Sequence, residues 1–230
     1  MTKEYLFPTA DLRSCEARWL GLVSYTDGLR MQEQAVEQIK TGDGSERLLL
    51  LEHPHVFTLG RGADPINILA SREQLQSHSI EVHETGRGGD VTYHGPGQLV
   101  GYPIINLKPD RCDVHRYVRD VEEVLIRTIA DFGVTGERIK GLTGVWVGNE
   151  KIAAIGVRIA RWITSHGFAL NVNTDLSYFR MIVPCGITDK GVTSLSQILG
   201  RQIQMQEVAR VAAHHFGEVF ERNIIMFNRQ

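Results

Sequence analysis

Cys185 is the residue best suited to covalent chemistry in this chain, and Lys151 is a candidate partner for it. Cys185 lies in Ile182-Val183-Pro184-Cys185-Gly186-Ile187, and Lys151 in Asn149-Glu150-Lys151-Ile152-Ala153-Ala154-Ile155-Gly156. A cysteine between proline and glycine reads as a turn position, where a thiol is exposed and nearby N–H groups lack regular partners. Such N–H groups stabilise negative charge beside the sulfur. A reference thiol with a pKa of about 8.5 is only about 3% ionised at pH 7, and lowering that pKa by about 1.5 units ionises about half of it. Lys151 opens a strand of small and apolar residues. It reads either as a solvated lysine at a hairpin end or as an ammonium at the mouth of an apolar cleft, where pairing with a thiolate lowers the thiol pKa.

The other polar motifs fit a binding role around such a pair. Arg87-Gly88-Gly89-Asp90-Val91-Thr92-Tyr93-His94-Gly95-Pro96-Gly97-Gln98 sets two glycines after an arginine, so backbone can approach a ligand closely and Arg87 can hold an anion. The phosphate-cradling loop that ends in Lys-Ser/Thr is absent, as is the dinucleotide fingerprint. In Ser165-His166-Gly167-Phe168-Ala169-Leu170-Asn171, His166 is placed either to orient a carbonyl or to hydrogen-bond a loop. The small Gly167 and Ala169 can border a groove for an acyl chain. No CxxC or HExxH spacing suggests a metal. His53 and His55 alternate at a strand end without a visible third ligand, and the adjacent His214 and His215 read as surface and core positions of a helix. No metal or other cofactor is expected.

Around these motifs the elements read as follows. Strands are predicted over Ala17–Val23, Arg47–Glu52, Ile80–His83, Val91–Tyr93, Gln98–Asn106 and Gly167–Asn173. Gly144–Val147 and Lys151–Ile159 read as a hairpin. Helices are predicted after Thr26 or Asp27, over Ser71–Ser77, from Val114 to Phe132 capped by Asp113, and over Gln206–Arg222. The strands come in hairpin-like runs, which predicts an α+β (α/β) fold of mixed, largely antiparallel sheet with flanking helices, as one domain over residues 1–230. The 230 residues are 42% hydrophobic and 23% charged, with a formal net charge of −2. That balance recommends neither a nucleic-acid nor a membrane partner. Three widely spaced cysteines argue against a disulfide framework, and with no signal peptide or spanning segment in view they fit a reducing cytoplasm.

Taken in order, these strings resemble the lipoyl(octanoyl) transferase family. The resemblance is carried by Thr58-Leu59-Gly60-Arg61, Arg87-Gly88-Gly89, Thr92-Tyr93-His94-Gly95-Pro96-Gly97-Gln98, Gly144-Val145-Trp146-Val147, Lys151-Ile152-Ala153-Ala154-Ile155-Gly156, His166-Gly167-Phe168-Ala169-Leu170-Asn171 and Pro184-Cys185-Gly186. It implies the biotin/lipoate protein ligase fold, with a larger and a smaller sheet. It implies transfer of an octanoyl group from octanoyl-acyl carrier protein to a lysine of lipoyl domains. Those acceptors are the lipoyl domains of 2-oxoacid dehydrogenases and the glycine cleavage H protein. Cys185 matches the family's acyl-thioester nucleophile, and Lys151 the lysine that lowers its pKa. Arg87, Gly88, Gly89, Asp90, Val91, Thr92, Tyr93 and His94 match the substrate-binding stretch, while Ala154, Ile155, Gly156 and Gly167, Phe168, Ala169 match two further pocket segments. Asp90 stands where Gln or Lys is expected, and Ser165 where Thr is commoner. The competing classes are an ATP-dependent lipoate or biotin ligase, which needs no nucleophilic cysteine, a non-catalytic acyl- or carrier-binding protein, and a cysteine hydrolase.

Overall fold

The computed structural model describes residues 12–42, 44–183 and 190–228. The chain first makes a strand–helix–strand crossover from β1 (Arg13–Leu22), α1 (Tyr25–Thr41) and β2 (Glu46–Glu52), with β1 and β2 parallel. The cap of α1 is Ser24, whose hydroxyl accepts the Asp27 N–H at 3.1 Å. The helix therefore starts before Thr26. Asp27 lies in the first turn instead, where its carboxylate complements the helix dipole. β2 holds the four-leucine run. Leu48 and Leu50 belong to one buried cluster and Leu49 and Leu51 to another, as expected for a strand covered on both faces.

A small sheet follows, ordered β4–β3–β5, from β3 (Val56–Leu59), α2 (Arg72–Ser77), β4 (Glu81–Glu84) and β5 (Val91–His94). The chain then returns to the large sheet through β6 (Gln98–Ile104), α3 (Val114–Ala130), β7 (Glu137–Ile139), β8 (Leu142–Val147), β9 (Glu150–Ala160) and β10 (Ile163–Asn171). After a 3₁₀ turn over Leu176–Met181 come β11 (Gly191–Val192), α4 (Leu195–Leu199), α5 (Met205–Phe220) and β12 (Arg222–Asn228). The large sheet runs β12–β1–β2–β6–β10–β9–β8–β7, with β11 beside β9. From β2 to β7 the neighbours are antiparallel, whereas β12, β1 and β2 are mutually parallel.

The core lies on both faces of the large sheet. Residues of α3 and α5 such as Tyr117, Val121, Leu125, Ala212 and Phe216 cover one face together with Leu99, Ile152, Ala153 and Phe168. Ala35 of α1 covers the other, with Val100, Tyr102 and Ala169. A third cluster of Phe57, Ile80, Val91, Tyr93 and Ile182 belongs to the small sheet.

The expected α+β organisation is observed, with local differences. The last helix ends at Phe220, because Glu221 takes a left-handed φ of 54°. The residues beyond it form β12 along β1, held by the buried ion pair of Arg222 with Glu46. β10 begins at Ile163 rather than Gly167. Among the described residues, no helix is long and apolar enough to cross a membrane.

Candidate active site

A cavity of about 610 Å³ opens between the small sheet and the β6–β10–β9 face of the large sheet, a size typical of small-molecule sites. Its floor includes Val100, Ala154 and Ala169. The last two are register partners on β9 and β10. Lys151 lies towards one end. Six residues along β9, about 20 Å of strand, lead to Val157, whose partner is His166.

Lys151 reaches the cavity because β9 carries a bulge. Val145 pairs with Ala153, but Trp146 pairs with Lys151, so Ile152 is an extra residue in the ladder. Ile152 and Ala153 are both buried in the same core cluster. Strict alternation would put Lys151 and Ala154, three apart, on opposite faces; the bulge puts both on the cavity. The Lys151 ammonium lies 4.8 Å from the centre of the Trp146 ring, a cation–π contact. Gly144, at φ 124°, allows the close approach of β9: a Cβ there would lie 2.6 Å from the Ala153 carbonyl oxygen. Lys190 also points at Trp146, at 5.7 Å, and donates to Asn149 Oδ1 at 3.2 Å.

Cys185 lies outside the described residues, and with it the expected Lys151–Cys185 contact. The described flanks are well fixed. Val183 N–H donates to the Asn67 carbonyl at 2.8 Å. On the other side, β11 runs parallel to Glu150–Lys151, and Thr193 N–H donates to the Lys151 carbonyl at 3.1 Å. Phe179 and Val192, on the two sides of residues 184–189, both line the cavity. The remaining thiols differ in setting. Cys15 is buried and its pKa is pushed up to about 12 by burial and by Glu46, which keeps it unreactive. Cys112 is exposed.

The Arg87 loop forms the roof. Its guanidinium donates to the Thr58 carbonyl at 2.6 Å, to Thr58 Oγ1 at 2.9 and 3.2 Å, and to the Gly88 carbonyl at 3.0 Å. Arg87 thus ties the loop to β3, a structural task beyond the anion binding read from sequence. Gly88 N–H donates to the Val157 carbonyl at 2.9 Å, so the loop also grips β9. Gly60 permits this closeness: a Cβ there would lie 2.2 Å from the Gly89 carbonyl oxygen. Asp90 accepts from Asn67 Nδ2 and from Val91 N–H, and so shapes the loop.

Of the residues predicted for the pocket, Arg87 to Thr92, His94, Ala154 to Gly156 and Gly167 to Ala169 line the cavity. Tyr93 does not. Alternation along β5 turns it to the far face of the small sheet. There it is fully buried, stacks on Tyr178 at 4.9 Å and hydrogen-bonds His55 at 2.9 Å. Gly167 is small for a reason other than a groove: a Cβ would lie 2.1 Å from the Gly101 carbonyl oxygen, so it allows close approach of β6.

At the end away from Lys151, two lining residues are not marked by the sequence. Tyr25 and Tyr102 line it, and no local pattern marks either. His53 Nδ1 is 2.7 Å from the Val23 carbonyl, so it donates there, and Nε2 accepts from the Tyr102 hydroxyl at 2.7 Å. Both nitrogens are used, and His55 bonds Tyr93, so these histidines serve hydrogen bonds rather than a shared metal. Burial holds His53 at a pKa of about 4, and burial with the His53 ring brings His94 to about 3. His166, at φ 55° with its N–H on Gln32 Oε1 at 2.7 Å, is lowered to about 4 by burial and by Arg87 and Arg158. These rings are uncharged at neutral pH. The cavity therefore offers apolar walls, an ammonium at one end and neutral polar rings at the other.

Comparison with known proteins places this architecture. Residues 24–217 match the model of the lipoyl protein ligase A/B catalytic domain. The chain is 52% identical over 210 residues to an octanoyltransferase of Solibacter usitatus, covering 91% of this chain and 94% of that one. It is 52% identical over 211 residues to an octanoyltransferase of Koribacter versatilis, covering 90% and 84%. The fold is shared with a crystal structure of lipoate-protein ligase A bound with ATP, at a TM-score of 0.71 and 15% identity over 94% of this chain and 90% of that one. A match over most of its length, to the family model and to these relatives alike, means that the chain belongs to the lipoyl protein ligase A/B catalytic domain family.

Proposed function

We propose that this protein is an octanoyltransferase of lipoate biosynthesis. It moves an octanoyl group from octanoyl-acyl carrier protein to a specific lysine of lipoyl domains, through a thioester on Cys185. The observation that carries the reading is the apolar cavity with Lys151 at one end, in a chain 52% identical to an octanoyltransferase over 210 residues. The thiolate of Cys185 attacks the thioester carbonyl, and the carrier thiolate leaves and takes a proton from the Lys151 ammonium. The acceptor lysine amine then attacks the acyl-enzyme. Neutral Lys151 takes the amine proton, and Cys185 leaves as a thiolate. One thioester replaces another in the first step, and amide formation makes the second step downhill, so neither nucleotide nor metal is required. The acyl chain lies along Val100, Ala154 and Ala169, each buried methylene contributing about 0.8 kcal/mol. The acceptors are lipoyl domains of 2-oxoacid dehydrogenases and the glycine cleavage H protein, and the cysteine usage fits the cytoplasm.

The test mixes purified protein, octanoyl carrier protein and an apo lipoyl domain with a chelator and no nucleotide. The expected products are one octanoyl amide on the lipoyl domain and, without acceptor, one hydroxylamine-labile octanoyl group on Cys185. Modification that appears only with free octanoate and Mg-ATP assigns the protein to the ligases instead.

A further inference from the structure

Between the two sheets runs an unbroken line of buried hydrogen bonds whose direction is locked. The Thr193 carbonyl can only accept, so the Asn171 amide nitrogen, 3.0 Å away, faces it. That turns Asn171 Oδ1 toward Gln98 Nε2, also at 3.0 Å, and the same Nε2 is 3.2 Å from the Tyr93 carbonyl. Gln98 Oε1 must then accept from His94 Nδ1–H at 2.7 Å. His94 Nε2 is left with its lone pair toward Thr58 Oγ1 at 3.5 Å, and Thr58 Oγ1 takes two bonds from Arg87. Each of these six side chains is at least nine-tenths buried. At the other end, Thr193 N–H is on the Lys151 carbonyl. Among the described residues, the buried Thr193 hydroxyl has no hydrogen-bond partner.

The line joins two places that sequence keeps far apart. One is the roof over the acyl chain, at Arg87. The other is the strand pair that carries Lys151 and Thr193. We propose that Gln98 and Asn171 are positioning residues: they couple the Arg87 loop to the register of the Thr193–Lys151 strands, so that the reacting end of the cavity is set only when the roof is seated. The catalytic part of this inference rests on the octanoyltransferase reading; the coupling does not.

The first measurement therefore needs no activity. Thr58→Val is close to isosteric and breaks the line at its far end, while the Arg87 bond to the Thr58 carbonyl can persist. Amide hydrogen exchange is followed at Thr193 and at the start of β9. Loss of about tenfold in protection there, across both sheets, is the expected outcome. Unchanged protection overturns the coupling, whatever the protein catalyses. The second measurement is single-turnover acylation by octanoyl carrier protein. Asn171→Ser and Gln98→Met are expected to acylate about 100-fold more slowly, the cost of a small misplacement of reacting groups, with the donor KM within about threefold. The pH profile of Cys185 alkylation by a small reagent should move toward that of a free thiol in both variants. Combining Thr58→Val with Asn171→Ser should cost little more than the larger single effect, since both cut one line. Additive effects, or wild-type acylation and alkylation profiles in folded Asn171→Ser, overturn the positioning role. Coupled exchange in a wild-type protein that never acylates removes the octanoyltransferase reading instead and leaves the coupling standing.

Discussion

At the Lys151 end of the cavity, the protein keeps an ammonium over an indole face, on a bulge and beside a strand of two residues. At the other end, His53, His94, Tyr102 and His166 are buried rings, and His53, His94 and Tyr102 spend ring or hydroxyl atoms on neighbours within the protein. The first region sets the lysine side chain where, in the proposed reaction, a proton moves. The second offers polar surface that stays neutral and adds no field to an acyl chain. On the proposed reading, the difference lets one cavity take an apolar chain and still do ionic chemistry: Lys151 is kept apart from the rings, which burial holds neutral.

The sharpest way to break this contrast is at the charged end. Cys185→Ala should abolish transfer and leave no acyl adduct, and Lys151→Ala should slow acylation by about 10²–10⁴, the usual range for a general acid–base group. Lys151→Arg should fail to rescue it, because arginine does not give up its proton in this range. An adduct that persists in Cys185→Ala, read by intact mass, would remove the nucleophile assignment.

Between the ends, the chain-length test applies. Ala154→Leu fills the floor beside Ala169. Octanoyl transfer should drop by about tenfold or more, consistent with about 1–3 kcal/mol for an overfilled site. Transfer of a butanoyl group should fall much less. Equal losses in kcat/KM for the two chains would show that Ala154 does not border the tail.

The silent end predicts a pH signature in stability. His53, His94 and His166 bind protons more weakly in the folded protein, near pH 4, 3 and 4, than in the unfolded chain, near 6.5. Between these limits the unfolded state takes up more protons. The stability these rings contribute is full above about pH 6.5 and lost as pH falls through the window. Each ring changes the unfolding free energy by up to about 1.4 kcal/mol per pH unit. Urea melts at pH 6.5 and 5 should show the loss, and His53→Gln should flatten the slope by one proton. A slope unchanged by that substitution would mean that His53 is not held neutral by burial.

The smallest effect is expected at Cys112, the exposed thiol away from the cavity lining. Cys112→Ser should change neither acylation nor stability by more than about 0.5 kcal/mol. A drop in single-turnover acylation would place a second reactive thiol in the pathway.

Much of this arrangement was legible in the sequence because its causes are local. Asp113 caps α3 by accepting from Arg116 N–H at 3.0 Å, and Gly148 turns the β8–β9 hairpin at φ 59°. Cap and turn chemistry act over a few residues, so residue types suffice to place them. The four leucines of β2 announce a strand buried on both faces for the same reason. The stretches assigned by family resemblance, Arg87 to His94, Ala154 to Gly156 and Gly167 to Ala169, border the cavity with the exception of Tyr93.

What a side chain faces was decided by pairing between strands. The bulge at Ile152 brings Lys151 onto the face of Ala154, and nothing within Lys151-Ile152-Ala153-Ala154 reports it, because it arises from the register of β9 against β8. Alternation along β5, anchored by its ladder with β3, sends Tyr93 away from the cavity while its neighbours Thr92 and His94 face it. Tyr25, His53 and Tyr102 meet because α1 crosses the sheet above β2 and β6, and Gln98, Asn171 and Thr193 because β6, β10 and the residue after β11 come side by side. Sequence sets the inventory of groups through local preference. Long-range ladders and burial set which of them share a cavity, since a one-residue change of register turns every side chain of a strand to the opposite face.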